Sequence, residues 1–383
     1  MKKKIVSLLL AAAMVLSLTG CVSKESATQP AEGGGAQTAE TGETKAEGED
    51  ASAGGYELAL ITDVGTIDDK SFNQGSWEGM KAYAEEKGIS YKYYQPEEKS
   101  DEACLAAIDL AVKGGAKLIV TPGFLFEVPV FEAQTKYPDV KFVIIDAAPA
   151  KDGTTQIGDN VVSIFYAEEQ AGYLAGYAAV KEGYRNLGFM GGIAVPAVVR
   201  FGYGYIQGAD AAATELGLAA GDVKIKYTYV GNFDTSPENQ TIAKSWYTEG
   251  VECIFACGGG VGNSVMAAAE GEGKVVIGVD VDQSGESETV ITSSMKNLSN
   301  SVYQAVASFY DGSFAGGTTT TLTAAEDGVQ LPMETSKFEN FTQEDYDKVF
   351  EAIKTGEISV GNDTLGAEPT DVPTTIVEIE NVK

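Results

Sequence analysis

Between residues 57 and 311 the chain repeats one unit: a short apolar run, a polar or glycine-bearing break, then apolar residues at helical spacing. This predicts strands at 57–62, 89–94, 117–121, 141–145 and 161–164, with helices at 71–87, 101–113 and 127–136 between them. The pattern resumes with helices near 166–182, 199–216, 237–249, 262–270 and 297–311. These alternate with strands at 186–190, 223–230, 252–256, 274–279 and 289–294, and the tail adds short β segments and a helix near 343–355. Strands alternating with helices make parallel, doubly wound sheets. The folded part, about 330 residues, is more than one core comfortably holds. The expectation is therefore α/β: two Rossmann-like lobes with a cleft between them. No short repeat of the solenoid kind is present.

The amino terminus carries an address. Lys2, Lys3 and Lys4 precede an apolar run from Ile5 to Leu18, followed by Thr19-Gly20-Cys21. A charged start, an apolar run too short for a membrane span and a small residue before cysteine describe an exported leader over 1–20. Residues 21–55 are rich in Glu, Ala, Gly, Thr and Ser, with no large apolar residue between Val22 and Tyr56. Such a segment cannot bury enough surface to fold, and a flexible stalk is expected.

Composition removes several function classes. The chain has 27 basic and 56 acidic residues; without the three leader lysines, 24 basic residues face 56 acidic ones. That balance repels nucleic acid and phosphorylated solutes over roughly 10 Å at physiological salt. Histidine is absent. His-based triads, His general bases and His metal ligands are therefore impossible within one chain. Beyond Cys21 only Cys104, Cys253 and Cys257 remain. The last two, four residues apart on a predicted strand, are too distant for a disulfide and lack the spacing of a zinc site. All three read as buried small apolar side chains.

The segment 58–80, LALITDVGTIDDKSFNQGSWEGM, is the most informative in the chain. A strand over Leu58–Ile61 stops at Thr62-Asp63, and a helix starts at Ser71, where Ser71 and Gln74 fit a capping box. Asp63 thus lies at the carboxyl end of a strand and Phe72, followed by Asn73, at the start of the next helix. That edge of an open α/β sheet is where ligands bind. Other promising residues also lie just past predicted strands. They are Gly123 in TPGF, Asp146 in FVIIDAA, Phe201 in VVRFGYGYIQG, Gly258 to Gly260 in FACGGGVG, Asp280 in VIGVDVDQ and Lys296 in SSMKN.

These segments, in this order from about 58 to 311, closely resemble the basic membrane protein family, purine nucleoside receptor lipoproteins that feed ABC importers. The resemblance implies a type I periplasmic-binding fold whose chain crosses between lobes near 164, 292 and 316. It thus implies a first lobe of 56–163 plus about 293–316, and a second of 164–292 plus about 317–383. Leu18-Thr19-Gly20-Cys21 resembles a lipobox, implying a lipid on Cys21 and a membrane-anchored protein facing outward. By the same resemblance Phe72 and Phe201 sandwich a purine, with Tyr203 as a competitor for the second ring. Asp63 and Asp146 face the base, with Asn73 and Gly258 close by, and Asp280 and Lys296 hold the ribose hydroxyls. Arg200 stands beside Lys296 as a possible cleft cation. The implied partners are a nucleoside, an ABC permease and its ATPase. No cofactor, metal, catalysis or nucleic acid is expected, and the receptor is expected to be a monomer. One departure is Val64, where many relatives carry a second polar residue.

Rival readings share some of these residues. Gly258-x-Gly260 followed by Asp280 imitates a dinucleotide fingerprint, but Asn263 stands where the third glycine belongs. Asp63 and Asp146 could serve a nucleoside hydrolase as paired carboxylates. Another flat ring, such as a flavin, would suit the same stacking groups.

Overall fold

The computed structural model describes residues 55–63 and 65–382. The leader, Cys21, the stalk as far as residue 54 and Val64 lie outside the described residues. In chain order the first elements are β1 (Leu58–Ile61), α1 (Phe72–Lys87), β2 (Tyr91–Tyr94), α2 (Asp101–Lys113), β3 (Leu118–Pro122), α3 (Glu127–Lys136) and β4 (Lys141–Ile145). A hairpin of β5 (Ala150–Lys151) and β6 (Thr154–Thr155) leads into β7 (Val161–Tyr166). The second run comprises α4 (Glu168–Glu182), β8 (Asn186–Gly191), α5 (Pro196–Glu215), β9 (Val223–Tyr229), α6 (Pro237–Thr248), β10 (Cys253–Cys257), α7 (Gly260–Glu272), β11 (Val275–Asp280) and β12 (Val290–Lys296). The chain ends with α8 (Leu298–Asp311), β13 (Thr318–Leu322), β14 (Val329–Gln330), α9 (Gln343–Lys354) and β15 (Val377–Asn381).

These strands form two sheets, ordered β13-β7-β4-β3-β1-β2 and β14-β12-β11-β10-β8-β9-β15. Within these two sheets every pairing is parallel except that of β14 with β12. Parallel strands buried on both faces read as unbroken apolar runs, and LALI, CIFAC and KFVII do. Period-two alternation then divides each strand between two cores. Leu58 and Leu60 pack on one side of the first sheet, Ala59 and Ile61 on the other.

The chain leaves the first sheet after Tyr166, returns past Lys296 and leaves again after Leu322. The boundaries expected at 164, 292 and 316 therefore fall early. Residues 293–296 belong to the second sheet, and Thr318–Leu322 to the first. The crossing expected near 316 falls on the double glycine 316–317. That pair is instead the turn into β13, where Gly317 adopts φ 80° and donates its N–H to Val161 O.

One contact couples the first crossing to the cleft. Helices α4 and α5 touch backbone to backbone through two glycine pairs spaced four apart, Gly172/Gly176 and Gly204/Gly208. A Cβ on Gly172 would lie 2.0 Å from Phe201 O, and one on Gly208 would lie 1.9 Å from Tyr173 O. Neither backbone can yield alone. Cys104, Cys253 and Cys257 are free and buried, as their apolar surroundings in sequence suggest. Among the described residues no helix is long and apolar enough to cross a membrane. Because a side chain at Gly208 must push α4 from α5, Gly208→Val should destabilise the protein by about 1–3 kcal/mol or more in urea unfolding. A variant as stable as wild type would show that the helix contact is soft.

Candidate functional site

Strand carboxyl ends and helix amino ends of both lobes converge on a cavity of about 490 Å³, within the usual range for small-molecule sites. Asp63, Phe72, Asn73, Asp146, Phe201, Gly258, Asp280 and Lys296 all line it, as does Gly123. Each follows from its place on the fold: Asp63 past β1, Asp146 past β4, Gly258 past β10, Asp280 ending β11 and Lys296 ending β12.

The centre of the wall is Lys296. Its Nζ donates to Asp146 Oδ2 at 2.6 Å and pairs with Asp280 Oδ1 at 3.0 Å, and its side chain is 3% exposed. Burial alone would push the ammonium down, but Asp146 and Asp280 hold it above the usual lysine range. Both aspartates occupy the left-handed region, Asp146 at φ 57° and Asp280 at φ 68°. Non-glycine residues rarely adopt it, aspartate among the least unwilling. These bends point carboxylates from two sheets at one cation. Lys296 thus joins the acid expected on the base, Asp146, to the acid expected on the sugar, Asp280.

The same ammonium lies 4.4 Å from the centroid of Phe72 and 5.5 Å from that of Phe201. The two rings come one from each lobe and both line the cavity. Phe201 is held edge-on against Phe255, centroids 5.9 Å apart at 89°. Tyr203 turns away from the cavity and donates to Gly366 O at 3.1 Å, so Phe201 rather than Tyr203 is the ring presented.

Asp63 and Asn73 lock each other. Asn73 Nδ2 donates to Asp63 Oδ1 (2.7 Å) and to Asp69 Oδ2 (2.9 Å), while its Oδ1 accepts the Asp63 N–H (3.0 Å). Gly65 N also donates to Asp63 Oδ1, at 2.7 Å. Both amide hydrogens of Asn73 are thereby used, which makes it a support for Asp63. Asp63 Oδ2 and Phe72 Cε1 each lie 3.6 Å from where a Cβ on Gly123 would stand. Burial pushes the Asp63 carboxyl up to about 6, against the lowering effect of the bonds from Gly65 and Asn73.

The capping box expected at Ser71 and Gln74 does not form. Asp69 caps the helix instead, accepting from the N–H groups of Ser71, Asn73 and Gln74 at 2.9–3.0 Å. Ser71 is released to donate across the cleft to Asp280 Oδ2 at 2.6 Å. Nearby, Gln283 Nε2 donates to Lys70 O at 2.6 Å, a second bond between the lobes. Arg200 is not a cleft cation. Its Nε donates to the buried Glu168 at 2.6 Å, away from the lining. Sequence reasoning also missed Phe124, Phe233, Asp234 and Thr235 on the rim. The position of 233–235 just past β9 was the available signal.

A family model described as ABC transporter substrate-binding protein PnrA-like matches residues 56–364. A protein of Lactococcus lactis subsp. cremoris named ABC transporter nucleoside-binding protein BmpA is 30% identical over 387 residues, covering 94% of this chain and 99% of its own. Basic membrane protein A of Borreliella burgdorferi is 33% identical over 245 residues, covering 63% and 68%. Among solved structures, a solute-binding protein of an ABC transporter system from Aeropyrum pernix K1 superposes with TM-score 0.64 at 27% identity, covering 79% of this chain and 87% of that one. With its two lobes and parallel sheets, the fold is that of the type I periplasmic-binding proteins. The chain belongs to the basic membrane protein family of PnrA-like ABC transporter substrate-binding proteins.

Proposed function

We propose that this protein is a lipid-anchored receptor, tethered through Cys21, that captures a purine nucleoside between its lobes and presents it to an ABC permease. The observation that carries the reading is that two rings from opposite lobes, Phe72 and Phe201, line one cavity and both lie near the Lys296 ammonium. A flat base between them would gain roughly 1–3 kcal/mol from each stacked ring. Asp63 Oδ2 offers an acceptor to base N–H donors. Asp280 keeps one lone pair on each oxygen beyond Ser71 and Lys296, and these suit a pair of sugar hydroxyls. The name of the Lactococcus relative agrees with this choice of ligand.

Charge sharpens the choice. Seven carboxylates line the cavity (Asp63, Asp68, Asp69, Glu127, Asp146, Asp234 and Asp280), and among the described lining residues the one cation, Lys296, is already paired twice. A phosphate would find no partner. Calorimetry with guanosine, inosine and adenosine should therefore show binding, with the 5′-monophosphates at least about tenfold weaker. Equal affinity for the monophosphate sinks the nucleoside reading. In the same series 2′-deoxynucleosides should bind about ten- to a hundredfold more weakly, one hydrogen bond to a buried charged group being left unmade. Asp280→Asn should shrink that gap, and an unchanged gap would remove Asp280 from the sugar site.

Asp63 predicts the pH profile. Its carboxyl titrates near 6, so it is an acceptor at neutral pH and gains a proton as pH falls. Ligands that donate to it should lose about tenfold in affinity between about pH 7 and pH 5. Asp63→Asn should bind more weakly at neutral pH and flatten the profile. A wild-type profile that is flat across this range would show that Asp63 does not accept from the ligand.

A further inference from the structure

Behind the cavity wall lies a charge group that ligand contacts do not explain. Glu168 opens α4 just past the first crossing and is completely buried, its Oε2 accepting from Arg200 Nε. Its Oε1 has no donor, and neither do Asp146 Oδ1 and Glu169 Oε2, both also buried. Ionised throughout, Asp146, Asp280, Glu168 and Glu169 would be four carboxylates facing two cations, Lys296 and Arg200. Excess buried charge is expensive, and such groups shed it by changing protonation state.

We propose that Glu168 is a positioning residue of the ligand site that works as a neutral acid, carrying a proton that removes one of the two excess negative charges of this group. The assignment rests on the nucleoside-receptor reading for its effect on binding, though not for the protonation itself. Burial, then the negative charge of Asp146, raises the Glu168 carboxyl well above the usual carboxylate range, against Arg200 and Lys296. The other groups acting here are the Tyr166 hydroxyl, bonded to Ser301, the buried Cys257 thiol, neighbouring Glu169 and, through Arg200, Asp363. Neutral Glu168 leaves Lys296 to Asp146 and Asp280, and holds Arg200 one residue before Phe201. Ionised Glu168 sets a second anion beside Asp146, competes for Lys296 and disturbs the wall on which the ligand rests.

The test compares wild type with Glu168→Gln, which keeps an acceptor for Arg200 and supplies uncharged N–H donors. In the unfolded chain the acid ionises near 4.3 and in the folded chain much higher, so unfolding releases a proton and wild-type stability falls as pH rises between the two values. Melting temperatures of the ligand-free proteins should diverge from about pH 5 to pH 9, with Glu168→Gln increasingly the more stable. Adenosine affinity should fall by about threefold or more from about pH 7 to pH 9 in wild type and stay level in Glu168→Gln. Parallel pH profiles of melting and binding in the two proteins would overturn the proposal. Diverging melting curves with no adenosine bound by either protein would uphold the neutral acid and sink the nucleoside reading instead. Should Glu168→Gln fail to fold, the infrared carbonyl stretch of a protonated buried carboxyl decides on wild type alone. Its loss between about pH 7 and pH 9 supports the assignment, and its absence at neutral pH overturns it.

Discussion

A buried ammonium between two carboxylates from different sheets is the interaction on which the rest of this cleft depends. Lys296 ends a strand of the second sheet, Asp280 ends its neighbour and Asp146 follows a strand of the first. Remove the cation and two buried anions confront each other. Breaking such a pair by deleting one partner typically costs about 3–5 kcal/mol. The left-handed backbones at Asp146 and Asp280 belong to the same arrangement. Each costs roughly 1–2 kcal/mol in isolation and persists because the surrounding strands and the shared cation over-determine it. The two lobes therefore meet around a fixed charge, flanked by the Ser71 and Gln283 bonds that also cross the cleft.

Steric constraint does for the rings what charge does for the acids. Phe201 lies on the first turns of α5, whose distance from α4 is set by glycines with no side chain to interpose. Its own carbonyl is the atom that Gly172 approaches. The tail reinforces the seat: Asp210 accepts from the N–H groups of Thr375, Ile376 and Val377 at 2.7–3.0 Å, and Gln207 exchanges two bonds with Gly361. An aromatic ring with two rotatable torsions can be pre-positioned cheaply once its backbone is immobile.

The architecture and the main site residues were legible because they share one cause. A parallel strand ends where its apolar run ends, and the residue after it faces the cleft, so Asp63, Asp146, Asp280 and Lys296 could be read from period and punctuation alone. What could not be read depends on contacts between segments distant in sequence. Ser71 looks like a cap because its local pattern is a cap's. Only the fold brings Asp280, more than two hundred residues away, within reach of its hydroxyl. Arg200 looks like a cleft cation because its neighbour in sequence lines the cleft. On a helix, adjacent residues point in different directions, and Arg200 finds Glu168. The twin G-Y-x-x-G spacing at 172–176 and 204–208 was visible in the sequence, and its meaning required knowing that the two helices touch.

Three aspartates divide two jobs here, and environment alone separates them. Asp280 and Asp146 both pair with Lys296 and hold it between them. Burial moves the Asp63 carboxyl up to about 6, and the Gly65 and Asn73 donors and the charge of Lys99 offset that only in part. Its second oxygen lies beside Gly123. The oxygen with the fewest internal commitments is thus the one best placed to meet a ligand. A receptor that releases its cargo gains from such a division. On the proposed reading the ion pairs hold the wall in register, and Asp63 is the acceptor left to supply selectivity without binding so tightly that transfer to a permease would stall.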